Sequence, residues 1–158
     1  MEQAPFADAV ILALGSGALA GAVSTVVKHI KPSCLVYLLV KEDWIARAML
    51  HLVEREKFIV EGSGACTLAA IIGSLVPELK TKNVVCILSG GNVDNLTLNR
   101  SLERGLAAET RLVKFKVAIL FVPGAKRDLM QLIARGGFNV ITHFIDNTWT
   151  TGETHTVE

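Results

Sequence analysis

The first half of the chain alternates unbroken apolar runs with small-residue turns and amphipathic segments, the pattern of strands buried on both faces and joined through helices. Residues 8–14 (DAVILAL) read as the first buried strand, followed by the turn Gly15-Ser16-Gly17-Ala18 and a helix to about Ile30. Lys31-Pro32 stops that helix, because the residue before proline is pushed out of helical backbone angles. Residues 34–40 (CLVYLLV) form a second buried strand, completing a βαβ unit for which a right-handed crossover is expected. Asp43-Trp44 opens an amphipathic helix with Ile45, Met49, Leu52 and Val53 inward and Arg47, Glu54 and Arg55 toward water. Residues 58–61 are short and strand-like, 65–75 read as an almost wholly apolar helix, and 84–88 (VVCIL) as a third buried strand. Leu98, Leu102 and Leu106 repeat every four residues, with Arg100, Glu103 and Arg104 between them, which predicts a helix over 94–108.

From Arg111 the pattern changes. Leu112, Phe115, Val117, Ile119 and Phe121 alternate roughly with polar residues, Pro123-Gly124 turns the chain, and Leu129, Leu132 and Ile133 mark a short helix to Arg135. Residues 138–145 (FNVITHFI) then read as another strand, and the tail from Thr150 either adds an edge strand or frays. Alternation implies one solvated sheet face, unlike the continuous runs upstream, so a boundary is expected near residue 110, giving segments 1–110 and 111–158.

Two glycine turns carry candidate chemistry. In parallel sheets ligands bind beyond the carboxyl ends of the strands, and Ser89-Gly90-Gly91-Asn92 follows the third strand directly. Ser89 and Asn92 offer hydrogen-bonding groups, and Gly90 and Gly91 permit a close approach of backbone to ligand. The plainer alternative is a strand-to-helix turn with Asp94 or Asn92 capping the helix. Gly15-Ser16-Gly17 opens the first helix, where exposed N–H groups and the positive dipole end suit a phosphate; its plainer role is close helix–strand packing. Glu61, beside Gly62-Ser63-Gly64, is either a buried acid at a second glycine turn or an acid compensating a helix dipole.

Composition narrows the field. Of 158 residues, 51% are hydrophobic and 20% charged, which excludes a disordered chain, and a net charge of +1 provides no footprint for nucleic acid. Cys34, Cys66 and Cys86 are widely spaced and odd in number, which argues for a reducing, cytoplasmic setting with the thiols as small core residues, and against a disulfide framework or metal site. Residues 9–27 carry no charge and contain a GxxxG spacing, but Gly15, Ser16, Gly17 and Gly21 interrupt the run and no basic cluster flanks it, so no membrane insertion is expected.

Three stretches in order, Glu42-Asp43-Trp44-Ile45-Ala46-Arg47-Ala48-Met49, then residues 54–65 (EREKFIVEGSGA), then Leu88-Ser89-Gly90-Gly91-Asn92, together resemble the C-terminal half of the catalytic domain of threonine/serine dehydratases. These are pyridoxal-phosphate enzymes of the tryptophan-synthase-β fold type. Residues 104–125 are similar to the passage from that domain into the ACT-like regulatory domain of the same enzymes. The resemblance implies an α/β fold, a partial parallel sheet followed by an incomplete ferredoxin-like β-α-β unit. It also implies roles. Ser89 would hydrogen-bond the pyridine nitrogen of the cofactor; a neutral hydroxyl there does not hold that nitrogen protonated, which leaves a restrained electron sink suited to β-elimination. Gly90, Gly91 and Asn92 belong to the same stretch. Gly15, Ser16 and Gly17 would stand in the phosphate loop, departing from its usual four glycines, and Glu61 would line the cofactor pocket.

The same resemblance marks departures. The lysine through which the family attaches its cofactor, in an N-terminal Ser-Phe-Lys-type motif, has no counterpart here, nor has the asparagine-bearing substrate loop. The segment that carries the family's metal ligands is also absent between Leu39 and Lys41. No catalytic or metal-binding residue is therefore assigned. The expectation is a dehydratase-like protein, handling an amino acid, that is inactive alone; the alternative is a non-catalytic regulatory or amino-acid-binding partner of a full-length dehydratase. A missing layer of the sheet would expose apolar surface, so self-association, association with a full-length paralogue, or poor solubility is expected.

Overall fold

The computed structural model describes residues 2–13, 17–37, 42–120, 122–146 and 154–157. The chain divides into two compact units, Met1–Leu112 and Val113–Glu158.

In the first unit, β1 (Ala9–Ile11), β2 (Leu35–Tyr37) and β3 (Val84–Cys86) form a parallel sheet in the order β2-β1-β3. The register pairs Ala9, Val10 and Ile11 with Leu35, Val36 and Tyr37 on one side and with Val84, Val85 and Cys86 on the other. Both faces of β1 are covered, as its continuous apolar run requires. Ala9 and Ile11 pack with Ala70, Val76 and Leu79, while Val10 and Leu12 pack with Ala20, Val27 and Cys34. The helix α1 (Ala18–Ile30) supplies Ala20 and Val27 to one face, and α3 (Gly62–Ile72) supplies Ala70 to the other. A third cluster joins α3 to α2 (Glu42–His51): Ala48, Met49 and Leu52 meet Val60, Ala65 and Ala69, with Trp44 and Leu98 at the margin. Past His51, α2 widens into a π-turn over Leu52–Glu56, closed by Lys57 in the left-handed region at φ 61°.

The helix α4 (Asn95–Ala108) packs on α2. Its cap is Asp94, whose carboxylate accepts the Thr97 backbone N–H at 2.9 Å. Hydrogen bonding to Thr97 holds that carboxyl below the usual carboxylate range. At the amino edge of the sheet, the Asn83 backbone N–H donates to the Asp8 carboxylate at 2.9 Å and the Lys31 ammonium donates to the Ala7 carbonyl at 2.8 Å. These bonds tie the starts of β1 and β3 together and hold the C-terminal end of α1 at the same edge.

Several expectations need correction. The strand expected over 84–88 covers only Val84–Cys86, lies at the edge of the sheet among the described residues and is half-buried, and Leu88 is exposed; the central, fully covered strand is β1, with Ala9 at 0% exposure. Residues 58–61 form no strand. Phe58 turns back to donate to the Leu52 carbonyl, and Phe58 and Ile59 lie exposed. The helix expected at 65–75 begins three residues earlier, because Gly62, Ser63 and Gly64 form its first turn behind Glu61, and ends at Ile72. Arg47 is not simply solvated: it lies 4.5 Å over the Trp44 ring. Of the thiols, Cys34 and Cys66 are buried, whereas Cys86 is intermediate; burial pushes the Cys66 and Cys86 thiols up. Among the described residues no helix is long and apolar enough to cross a membrane.

In the second unit, β4 (Val117–Leu120) is followed by α5 (Ala125–Arg135), β5 (Ile145–Asp146) and β6 (Thr154–Val157). The sheet order is β4-β6-β5 with both pairs antiparallel, so β4 and β5 run parallel with β6 inserted between them. This is the split β-α-β arrangement of ferredoxin-like folds. The tail strand is thus central to its sheet, not at an edge, and the strand expected over 138–145 begins only at Ile145. Residues 138–144 are exposed and unpaired in either sheet.

Candidate functional site

The strand order places the site. The chain leaves β1 toward β2 on one side and returns to β3 on the other, with α1 and α3 on opposite faces. The reversal falls between β1 and β3, and in open α/β sheets the crevice beyond the carboxyl ends at such a reversal is the ligand position. Two candidate turns follow those two strands, the one containing Gly17 after β1 and Ser89–Asn92 after β3. Gly15 and Ser16 lie outside the described residues.

Around β3 the turn is built by close approaches that only glycine allows. A Cβ on Gly64 would collide with the Ser89 carbonyl oxygen and stand 2.6 Å from Val60 Cγ1. Gly90 adopts φ 81°, and a Cβ there would stand 2.5 Å from Glu61 Oε1. The Glu61 N–H donates to the Gly90 carbonyl at 3.1 Å. Gly62–Gly64 and Ser89–Gly91 are therefore one assembly, with the first turn of α3 pressed against the end of β3. Thr67, at 1% exposure, reinforces it by donating to the Ile87 and Gly64 carbonyls at 3.4 Å.

Glu61 occupies the N-cap position of α3 in extended geometry, yet its carboxylate caps no backbone N–H. It accepts instead the hydroxyl hydrogen bond of Ser63. The simple capping role is thus not the one the side chain plays, although the acid still lies beside the positive end of α3. The parts of Ser63 and Gly64 in this contact have no sequence signal beyond the Gly62-Ser63-Gly64 run itself. Ser89 is half-buried, and Asn92 is exposed and stands apart from the α4 cap, which Asp94 provides.

The glycines separate into two kinds. At Gly64 and Gly90 the space of a side chain is filled by this chain's own atoms. Among the described residues, only the Ile59 carbonyl comes near Gly91, at 3.2 Å, and nothing lies within 4 Å of the Cβ position of Gly17, the left-handed N-cap of α1 with φ 90°. Gly17 stands at the start of α1, where backbone N–H groups suit a phosphate, although Gly21 within that helix and Gly137 in the second unit are equally open. Among the described residues, Ser89 offers a hydroxyl of the kind a pyridine nitrogen accepts. Of the lysines, Lys28 and Lys31 sit at the C-terminal end of α1 and Lys82 just before β3, at the opposite edge of the sheet, while Lys41 lies outside the described residues.

No family model matches the chain. It is 44% identical over 108 residues to an L-threonine ammonia-lyase of Geobacter sulfurreducens, covering 67% of this chain and 27% of that protein. It is 35% identical over 124 residues to an L-threonine ammonia-lyase of Thermotoga maritima, covering 72% of this chain and 30% of that protein. The chain thus spans less than a third of the length of these curated relatives. Among solved structures, the serine racemase of Dictyostelium discoideum matches with a TM-score of 0.56 at 28% identity, over 60% of this chain and 47% of that one. A threonine deaminase isoform of Solanum lycopersicum matches with a TM-score of 0.58 at 22% identity, over 65% of this chain and 43% of that one, which shows the shared fold. With the parallel sheet, the glycine-built turn after β3 and the sequence relatives all agreeing, the chain belongs to the threonine/serine dehydratase family of fold-type II pyridoxal-phosphate enzymes, of whose members it spans a part.

Proposed function

We propose that this chain forms one wall of a pyridoxal-phosphate site in a protein of the threonine/serine ammonia-lyase type. The observation that carries the reading is the joint placement of Glu61 and Ser89 at the carboxyl end of β3, locked by Gly64 and Gly90. Ser89 would hold the ring nitrogen, Gly90, Gly91 and Asn92 would belong to the ring side, and the N–H groups behind Gly17, with Gly15 and Ser16, would receive the phosphate. Glu61, oriented by Ser63, lines the pocket. When bound, the cofactor supplies an electron sink for the pair left at the substrate's α-carbon. The substrates supported by the relatives' names are L-threonine, giving 2-oxobutanoate and ammonia, and by family L-serine, giving pyruvate and ammonia.

The 158 residues alone place no lysine at this site among those described, and their own part is to bind and orient, not to move the α-proton. The expected result for the purified chain is weak, reversible retention of pyridoxal phosphate that borohydride does not fix, with no keto acid formed from threonine. Cofactor absorbance fixed by borohydride on a lysine of this chain, together with keto acid production, would overturn the inactivity. Absence of any cofactor binding, with no weakening in a Ser89→Ala variant to compare, would overturn the site itself.

A second reading is favoured by the split β-α-β order of the second unit. Residues 111–158 would then be an ACT-like regulatory segment, and the chain an amino-acid-binding partner of a full-length dehydratase, or of itself. Co-elution with a full-length dehydratase supports it; failure both to co-elute and to bind an amino acid rejects it.

A further inference from the structure

Residues 138–144 (FNVITHF) have the composition of a strand, rich in aromatic and β-branched residues, and no turn or bend interrupts them before β5 begins at Ile145. Within the described chain they have no neighbour to pair with. The Phe138 N–H donates to the Ile133 carbonyl at 3.2 Å, and no other backbone group of the stretch is hydrogen-bonded among the described residues. The side chains are as open as the backbone, Ile141 being 80% exposed and Phe138, Val140 and Phe144 exposed with it. His143 and Ile145 line a hollow with Leu129 and Met130, so α5 lies on that face. The alternate residues, from Phe138 to Phe144, fall on the face away from it.

β5 is the last strand of the sheet β4-β6-β5, so this stretch prolongs a sheet edge. Natural edges are blunted with lysine, proline or a bulge, and 138–144 contains no lysine, arginine, proline or glycine. A row of open N–H and C=O groups is satisfied by another extended strand, not by a helix or an apolar ligand.

The order of residues says which strand. Laid antiparallel on its own copy about Ile141, the stretch sets Phe138 against Phe144, Asn139 against His143, Val140 against Thr142, and Ile141 against itself. Aromatic meets aromatic, polar meets polar and β-branched meets β-branched, with no like charges opposed. A slip of two residues either way puts Ile141 against His143 or Asn139, so the match also fixes the register.

We propose that residues 138–144 pair with the same residues of a second copy, antiparallel about Ile141, joining the two sheets in the order β4-β6-β5-β5-β6-β4. The contact is self-complementary and closes on a two-fold axis, which gives a dimer and not a fibre. A strand pair of this length buries well under the roughly 1,200 Å² of a standard interface, so a dissociation constant on the order of 0.1 mM is expected. Only the second unit takes part, which keeps the proposal independent of the cofactor reading.

The test is sedimentation equilibrium of the full chain at concentrations spanning that constant. The parent should pass from monomer to dimer and stop there. Ile141→Lys sets two ammonium groups face to face on the axis and should weaken the dimer about tenfold. An equimolar mixture of Ile141→Lys and Ile141→Glu should restore it as a heterodimer, which a merely disturbed fold would not do. Val26→Lys, on the exposed face of α1, should leave the dimer intact. With Cys86→Ser removing the least buried thiol, mild oxidation should cross-link Ile141→Cys faster than Asn139→Cys or His143→Cys, since only position 141 faces itself. A monomer throughout, growth beyond the dimer, parent-like association of Ile141→Lys, no rescue in the mixture, or equal cross-linking at all three positions would each overturn the proposal. Loss of the dimer in Val26→Lys would move the interface to α1 and overturn it as well.

Discussion

At the scale of single residues, the site rests on atoms that are absent. Gly64 has no room for a Cβ because the Ser89 carbonyl oxygen already fills that place, and neither partner is a flexible chain end that could swing aside. Gly64→Ala should therefore destabilise the first unit by about 1–3 kcal/mol, the usual cost of overpacking, despite the better helix propensity of alanine. Denaturant unfolding would measure it, and a variant as stable as the parent would show that the turn after β3 is not clamped as described. Gly90 differs in kind. There the neighbour is the Glu61 carboxylate, which can move, so the left-handed φ of 81° is the stronger constraint. Gly90, Ser89 and Glu61 each stand out in the sequence separately, but their contact joins positions about thirty residues apart and leaves no local periodicity to read. Gly15 and Ser16 lie outside the described residues and stay proposals.

At the scale of elements, packing of α4 on α2 turns on Gly105 and not on the leucine repeat. Leu98, Leu102 and Leu106 are all half-buried, whereas Gly105 is buried, with a would-be Cβ 2.7 Å from the Ala46 carbonyl oxygen and 3.0 Å from Leu50 Cβ. Two effects oppose each other in Gly105→Ala. Helix propensity favours alanine by about 1 kcal/mol, while forcing the backbones apart costs about 1–3 kcal/mol. The second should win, giving a lower melting midpoint and a disturbed Trp44 environment, and a midpoint raised by the substitution would show that the helices can separate freely. The period-four leucines did predict the helix itself, and Asp94 its cap, because both are local signals. Which face of the helix makes the closest contact is decided by the partner helix, and a glycine there looks from sequence like a weakness in the pattern.

At the scale of the whole molecule, each unit exposes apolar side chains that its own packing does not use. On α1, Leu19, Val26 and Ile30 face out, and β2 exposes Leu35; in the second unit Leu132, Phe138, Ile141 and Phe144 are exposed. Clustered surface of this kind marks an interaction face or an aggregation liability. The purified chain is expected to self-associate in a concentration-dependent way, seen as a rising weight-average mass in sedimentation equilibrium. A monodisperse monomer at high concentration would contradict that expectation.

What the sequence determined by itself was the order and kind of most elements: the two parallel-type strands around a helix, the amphipathic α2, the apolar α3, the capped α4 and the short α5. Each is written in a run of neighbours whose periodicity or turn chemistry acts locally. Tertiary structure alone decided that β1, not β3, is the central strand, that β6 inserts between β4 and β5, and that 58–61 is a connection exposing Phe58 and Ile59 while burying Val60. It also decided that Glu61 is held by Ser63 against Gly90, and that Arg47 lies over Trp44. These outcomes depend on which distant segment reaches a given surface first and fits it, and residues far apart in the chain carry no shared periodic trace of that meeting.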